Sequence, residues 1–208
     1  MSAIRILIVE DEPLIAAEIA SCLNQIDYSV CGKAYNLETA KAMLESLQPD
    51  AVIVDINLEG GQEGIELAAH IHEQYHIPFI FLSSYADRPT LEAAKVCEPA
   101  GYIVKPFTEK GLLASLEIAL YNFAQRRKNR LPALQLDHLN RNLLTPLTQR
   151  EFDLLGLIWE GYTNQQMAEK LFVSVNTVKT HLKNLYLKLD VNSRTGAIAH
   201  AQELMGRG

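Results

Sequence analysis

Five polar residues in the first half of this 208-residue chain stand at the ends of apolar runs and could do chemistry together. Glu10 and Asp11 follow ILIV, Asp55 closes AVIV, Ser83 closes FIFL, and Lys105 follows GYIV and precedes Pro106. Three carboxylates brought together repel one another and need a cation. Hard oxygen ligands with open positions suit Mg2+, which keeps several of its waters. A lysine and a hydroxyl beside them can hold phosphoryl oxygens, which leaves one carboxylate as a nucleophile. Taken singly, each residue has an ordinary reading: a solvated strand end, a turn or cap serine, a loop lysine. Chemistry requires that the five converge.

Convergence depends on the elements that carry them. Apolar runs at 4–9, 29–34, 51–55, 79–82 and 102–104 read as strands. Between them, 13–26, a stretch capped by Asn36 and running to about 47, 65–75, 89–97, and a long stretch capped by Thr108 and running to about 127 have helical spacing. Pro13 suits a first helical turn. A loop holding Gly60, Gly61 and Gly64 follows Asp55. Five continuous apolar strands alternating with helices argue for a parallel sheet covered on both faces. Ligands bind such sheets beyond the carboxyl ends of the strands, where the five polar residues would meet.

The runs ILIVEDEP, AVIVDINL, FLSS and GYIVKPF resemble the receiver domain of bacterial response regulators, over about residues 4–123. The resemblance implies that Asp55 is the phosphoacceptor. It implies that Asp11 and Asp55 bind Mg2+ with the main-chain carbonyl of Asn57, and that Glu10 acts mainly through water. Ser83 would hydrogen-bond a phosphoryl oxygen, Lys105 would pair with the phosphoryl group, and the Lys105–Pro106 peptide would be cis. Tyr102 would be an aromatic switch that turns inward when Ser83 moves; its other reading is a half-buried strand aromatic. One region departs from the usual pattern. Leu58-Glu59 replaces the common Met-Pro pair, and Gly64 lies nine residues after Asp55, so the loop is one residue longer. Two enzyme readings compete. Asp-nucleophile phosphatases usually carry a second Asp two residues on, where this chain has Asn57. A flavin would need a phosphate-binding loop where Glu10 and Asp11 stand.

From about Gln125 the character changes. Arg126, Arg127, Lys128 and Arg130 cluster, and Pro132 and Pro146 punctuate the residues after them. A linker is expected at 125–144, between a domain at 1–124 and one at 145–208. Helical segments fit 149–160, 164–171, 175–189 and 194–204. Val178, Leu182, Leu185 and Leu189 form one apolar stripe. Asn176, Lys179, Thr180 and Lys183 lie to its side or opposite, and such residues suit the edges of bases in a major groove. Ser174 is placed to cap this helix and aim free N–H groups at a phosphate, and Thr177 could add a phosphate contact. A short helix joined through FVS to this one matches a helix-turn-helix, although an ordinary solvated amphipathic helix has the same spacing.

Residues 147–202 are similar throughout to the LuxR/FixJ-type DNA-binding domain, from LTQREFDLL to NSRTGAI. The resemblance makes 175–189 the recognition helix, with Lys179, Thr180 and Lys183 as base or phosphate contacts. Arg150 and Arg194 read equally as structural or phosphate-facing, and His181 as a packing residue. The last helix would be the dimer contact, with Ile198 and Leu204 exposed there or closing the core. The expected fold is thus a flavodoxin-like, doubly wound α/β receiver with a five-stranded parallel sheet, plus an all-α four-helix helix-turn-helix domain.

Charge agrees with this division. Residues 1–124 carry 7 Lys and Arg against 18 Asp and Glu, net −11, and residues 125–208 carry 12 against 7, net +5, within an overall −6. A basic half beside an acidic one points to a polyanion for the C-terminal part alone. Cys22, Cys31 and Cys97 match no zinc spacing and read as reduced, packed thiols. No run approaches the ~20 apolar residues of a membrane span, and no secretory signal is visible. The chain is expected to be a cytoplasmic, phosphorylation-dependent transcriptional regulator rather than an enzyme. Its expected partners are a sensor histidine kinase and double-stranded DNA carrying an inverted repeat, bound as a homodimer once phosphorylated, with no membrane partner. The alternative is a receiver that regulates through protein contacts without DNA.

Overall fold

The structure, a computed structural model, describes residues 4–23, 28–84, 88–128 and 134–206. The chain divides into two compact units, one spanning Arg5–Leu120 and the other beginning at Tyr121.

The first unit alternates β1 (Ile4–Val9), α1 (Pro13–Leu23), β2 (Tyr28–Ala34), α2 (Leu37–Leu47), β3 (Ala51–Asp55), α3 (Glu63–His70), β4 (Phe79–Ser83), α4 (Arg88–Val96), β5 (Gly101–Val104) and the first part of α5 (Glu109–Lys128), whose residues from Tyr121 on belong to the second unit. The strands form one sheet in the order β2-β1-β3-β4-β5. The β1–β3, β3–β4 and β4–β5 pairs are parallel, with Val9 opposite Val54, Asp55 opposite Leu82 and Ser83 opposite Val104. Leu7, Val9, Val52, Val54, Phe79 and Phe81 are buried in a cluster with Leu44, Leu67 and Ile71, while Ile6, Ile8, Ile53 and Ile80 are equally buried. Burial of both alternating sets is why these strands read as unbroken apolar runs.

The helix ends obey local chemistry. Asn36 caps α2 by accepting from Thr39 N at 2.9 Å, and Thr108 accepts from Gly111 N at 3.1 Å at the start of α5. Helix α1 is described to Leu23; the rest of its expected 13–26 span lies outside the described residues. Helix α3 ends in a π turn, Ile71–Tyr75, closed by His76 N on the Ile71 carbonyl at 3.0 Å, with His76 left-handed at φ 51.

The second unit contains α6 (Leu136–Arg141), α7 (Gln149–Trp159), α8 (Asn164–Leu171), α9 (Val175–Lys188) and α10 (Arg194–Gly206). Thr148 and Thr163 begin α7 and α8 with capping boxes closed by Glu151 and Gln166, and Ser174 caps α9 from Thr177 N. The stretch expected as a linker, 125–144, is in part regular structure. Its first residues continue α5, and α6 lies within it with Leu139 fully buried in the second core. Pro and basic residues around it obscure this short helix in the sequence, and its leucines pack on the helices after it. Ile198 and Leu204 are buried as well, so they close the core rather than present an apolar face on α10.

Candidate functional site

The parallel register sets the polar ends of four strands at one edge. Glu10 follows β1, and its N–H donates to the Ala34 carbonyl at 3.0 Å. Asp55 ends β3; the next residue, Ile56, donates its N–H to the Leu82 carbonyl at 3.0 Å. Lys105 follows β5, and its N–H donates to the Ser83 carbonyl at 2.8 Å. The Lys105–Pro106 peptide is cis, as expected. Glu10 is fully buried and Asp55 is 5% exposed. One carboxylate oxygen from each of Glu10, Asp11 and Asp55 lies within 4.8 Å of the others. The Lys105 ammonium sits 2.6 Å from Asp55 Oδ2, to which it donates a hydrogen bond, and 2.6 Å from Glu10 Oε2 as a charge contact. Asn57 N–H donates to Asp55 Oδ1 at 3.0 Å, which orients the carboxylate and draws the 56–57 backbone over it.

The electrostatics arise from burial. Loss of solvent pushes the Glu10 carboxyl up to about 7, and the Asp55 charge adds to this while Lys105 opposes it. Burial pulls the Lys105 ammonium down, but its hydrogen bonds and charge contacts with Asp55 and Glu10 outweigh that, and its net shift is upward. Three carboxylates with an oxygen each within 4.8 Å of the others form an all-oxygen donor set that fits a hard divalent cation. Ser83 is buried and its hydroxyl has no hydrogen-bond partner. Tyr102 is half-buried, its ring centroid is 5.7 Å from that of Phe81, and its hydroxyl is also buried without a partner. Burial raises that phenol's pKa, with Cys97 and Glu92 adding to the shift.

The longer loop after Asp55 is fixed at both ends. Leu58 is fully buried at the start of a 3-10 turn, Leu58–Gly60, and Gly60 takes φ 82. A Cβ on Gly64 would collide with the Asp55 carbonyl oxygen, so only glycine lets α3 start this close to β3. The extra residue is absorbed between these anchors.

In the second unit, α9 buries Val178, Leu182 and Leu185 and leaves Asn176, Thr180 and Lys183 exposed; Lys179 and Thr177 are half-buried on its flanks. The Thr177 hydroxyl bonds Ser174 Oγ at 2.8 Å within the cap, and the Thr180 hydroxyl donates to the Asn176 carbonyl at 3.0 Å. His181 is half-buried beside the stripe. Arg150 donates to the Leu171 carbonyl at 3.2 Å, and Arg194 to the carbonyls of Ile158 at 3.3 Å and Tyr162 at 2.6 Å, so both guanidinium groups tie helices together. Lys188 is a residue that sequence reasoning does not single out. Its ammonium donates to the Pro146 carbonyl at 2.9 Å and Glu151 Oε2 at 2.7 Å, clamping the end of α9 to the cap of α7. The T-x-x-E pattern at 148–151, with a lysine closing a later helix, is its only signal.

A doubly wound domain with acids and a lysine at its carboxyl edge, joined to a helix-turn-helix unit, defines a regulator that couples phosphoryl chemistry to DNA. Comparison with known proteins gives the same class. Residues 6–117 match the family Response regulator receiver domain, and residues 145–201 match Bacterial regulatory proteins, luxR family. The chain is 31% identical over 208 residues to the transcriptional regulatory protein LiaR of Bacillus subtilis, covering 95% of this chain and 96% of that protein. It is 29% identical over 205 residues to the response regulator protein VraR of Staphylococcus aureus, with the same coverage of 95% and 96%. Among solved structures, the signal receiver domain of a modulated diguanylate cyclase from Desulfovibrio desulfuricans G20 superposes with a TM-score of 0.56 at 35% identity, over 60% of this chain and 99% of that one. The chain belongs to the response regulators of bacterial two-component systems, with a receiver domain followed by a LuxR-type DNA-binding domain. It is a phosphorylation-dependent regulator of transcription.

Proposed function

We propose that Asp55 takes a phosphoryl group from the phosphohistidine of a sensor kinase, or from a small acyl phosphate, and that this lets two copies pair on an inverted repeat. In the transfer an Asp55 carboxylate oxygen forms the new bond to phosphorus. The bond to the donor nitrogen or oxygen breaks, and the donor keeps the electron pair. Glu10, Asp11 and Asp55, with the Asn57 carbonyl, would hold Mg2+, which neutralises charge on the transferring group. Lys105 already touches Asp55 and would pair with a phosphoryl oxygen, and the unpartnered Ser83 hydroxyl would donate to another. The observation that carries this reading is the buried Asp55, flanked at one edge by an ammonium at 2.6 Å and a hydroxyl without a partner.

Tyr102 supplies the link to the surface. It packs on Phe81, two residues before Ser83 on β4, so a shift of Ser83 toward a phosphoryl group changes the space the ring occupies. That biases an equilibrium between conformations rather than creating a new one. On α9, Lys179, Thr180 and Lys183 would meet bases or phosphates, with Asn176 and Thr177 beside them. We place the protein in the cytoplasm, where kinase and DNA are both within reach; among the described residues no helix is long and apolar enough to cross a membrane.

Phosphoryl uptake tests the assignment. With radiolabelled acyl phosphate and Mg2+, the wild type should label and Asp55→Ala should not. Equal labelling of the variant would reject Asp55.

A further inference from the structure

Helix α9 carries a second stripe. Two residues before each of Val178, Leu182, Leu185 and Leu189 stand Asn176, Thr180, Lys183 and Leu187. At about 100° per residue these four fall within about 60° of one another, on the side away from the core. All four are exposed, Leu187 at 70%. A lone exposed leucine is ordinary. This one continues the outward line of side chains, about 16 Å beyond Asn176. The duplex rises roughly 3.4 Å per base pair along its axis, and the groove winds around that axis, so a helix lying along it for that distance passes no more than about five base pairs, within one half-site.

The apolar feature of the major groove is the C5-methyl of thymine. We propose that Leu187 is a base-reading residue that packs on a thymine methyl at the end of the half-site far from Asn176. The inference rests on α9 being the recognition helix. Thr180 supports the pattern: its hydroxyl is tied to the Asn176 carbonyl, so its methyl is the group left for the groove. Lys183 lies between these two apolar groups and suits a guanine edge. The stripe therefore favours thymines on both sides of a guanine, and the basic charge on α9 and its flanks favours nucleic acid over an apolar protein surface as its occupant.

The test uses the full chain with Mg2+ and a small acyl phosphate. Binding-site selection is run first, and the selected site is then remade with each thymine in turn replaced by deoxyuridine, which lacks only the methyl. At one outer position the replacement should weaken wild type roughly fourfold, about the worth of one buried methyl group, and leave Leu187→Ala unaffected. The salt dependence of Leu187→Ala should match wild type, whereas Lys183→Ala should flatten that dependence and relax the choice at the guanine position. The proposal is overturned if wild type and Leu187→Ala respond alike to every deoxyuridine. It is also overturned if Leu187→Ala changes sedimentation while keeping its base preference, because the leucine then serves a protein contact. If wild type selects no sequence, the DNA reading of α9 fails first and takes this inference with it.

Discussion

At the scale of the residue, Ser83 couples two effects of opposite sign. A buried hydroxyl without a partner costs roughly 1–3 kcal/mol, and Ser83 holds one at the end of β4. Ser83→Ala should therefore raise the stability of the unphosphorylated receiver by about 1 kcal/mol. On the proposed function the same change would also remove a charge-assisted hydrogen bond from the phosphoryl group, so uptake by Asp55 should slow by about tenfold or more. Thermal melting and labelling kinetics on one pair of proteins would check both. A variant that melts higher and labels at the normal rate would remove Ser83 from the phosphoryl site. The five residues of this edge are legible in the sequence because each interrupts an apolar run, and a parallel sheet sends all such interruptions to one side. The geometry of Lys105 is not legible there. That one ammonium bridges Asp55 and Glu10 depends on the stagger of β1, β3 and β5, which the runs alone leave open.

At the scale of the element, the second unit joins its buried core to a set of helix caps and clamps. Glu151 closes the capping box of α7 and accepts Lys188 from α9. Burial alone would raise its carboxyl pKa; the hydrogen bonds from Lys188 and from Thr148, with the lysine charge, outweigh this and hold it below the usual value. A carboxyl lowered in the folded state adds stability above its unfolded pKa and loses it as pH falls through the folded one. Glu151→Gln should thus cost about 1–3 kcal/mol at pH 7, and the gap to wild type should close as the pH drops below about 4.5. Trp159, the single tryptophan and buried in this core, reports the unfolding of this unit by fluorescence. A gap independent of pH would mean that the ionised carboxylate contributes nothing. Helix α6 shows the converse limit of sequence reading. Its six residues are too few to display a period, and the signal that places it, Leu139 in the core, is a tertiary contact. Arg150 and Arg194 cannot be assigned from sequence for a related reason: a guanidinium serves a phosphate or a carbonyl equally well, and only the fold shows carbonyls within reach.

At the scale of the molecule, each unit has its own core, so the reading of DNA and the receipt of the phosphoryl group are separable in principle. A fragment of residues 134–208 should fold alone and select the same half-site as the phosphorylated full chain, with weaker affinity because paired binding is lost. Binding-site selection on the fragment would check this. A different preferred sequence would show that the receiver takes part in base reading. The partition of charge, net −11 against +5, is legible in the sequence because it needs only counting.

The two stripes of α9 share no residue. The scaffold of the second unit is fixed by Val178, Leu182, Leu185, Leu189 and the Lys188 clamp, while Asn176, Thr180, Lys183 and Leu187 contribute nothing to that core. If α9 reads bases as proposed, mutational drift on the outer four changes which promoters answer this protein without first needing a compensating change inside. Descendants of one gene, duplicated and left with the same receiver, could diverge in their targets by single substitutions along one line of a helix.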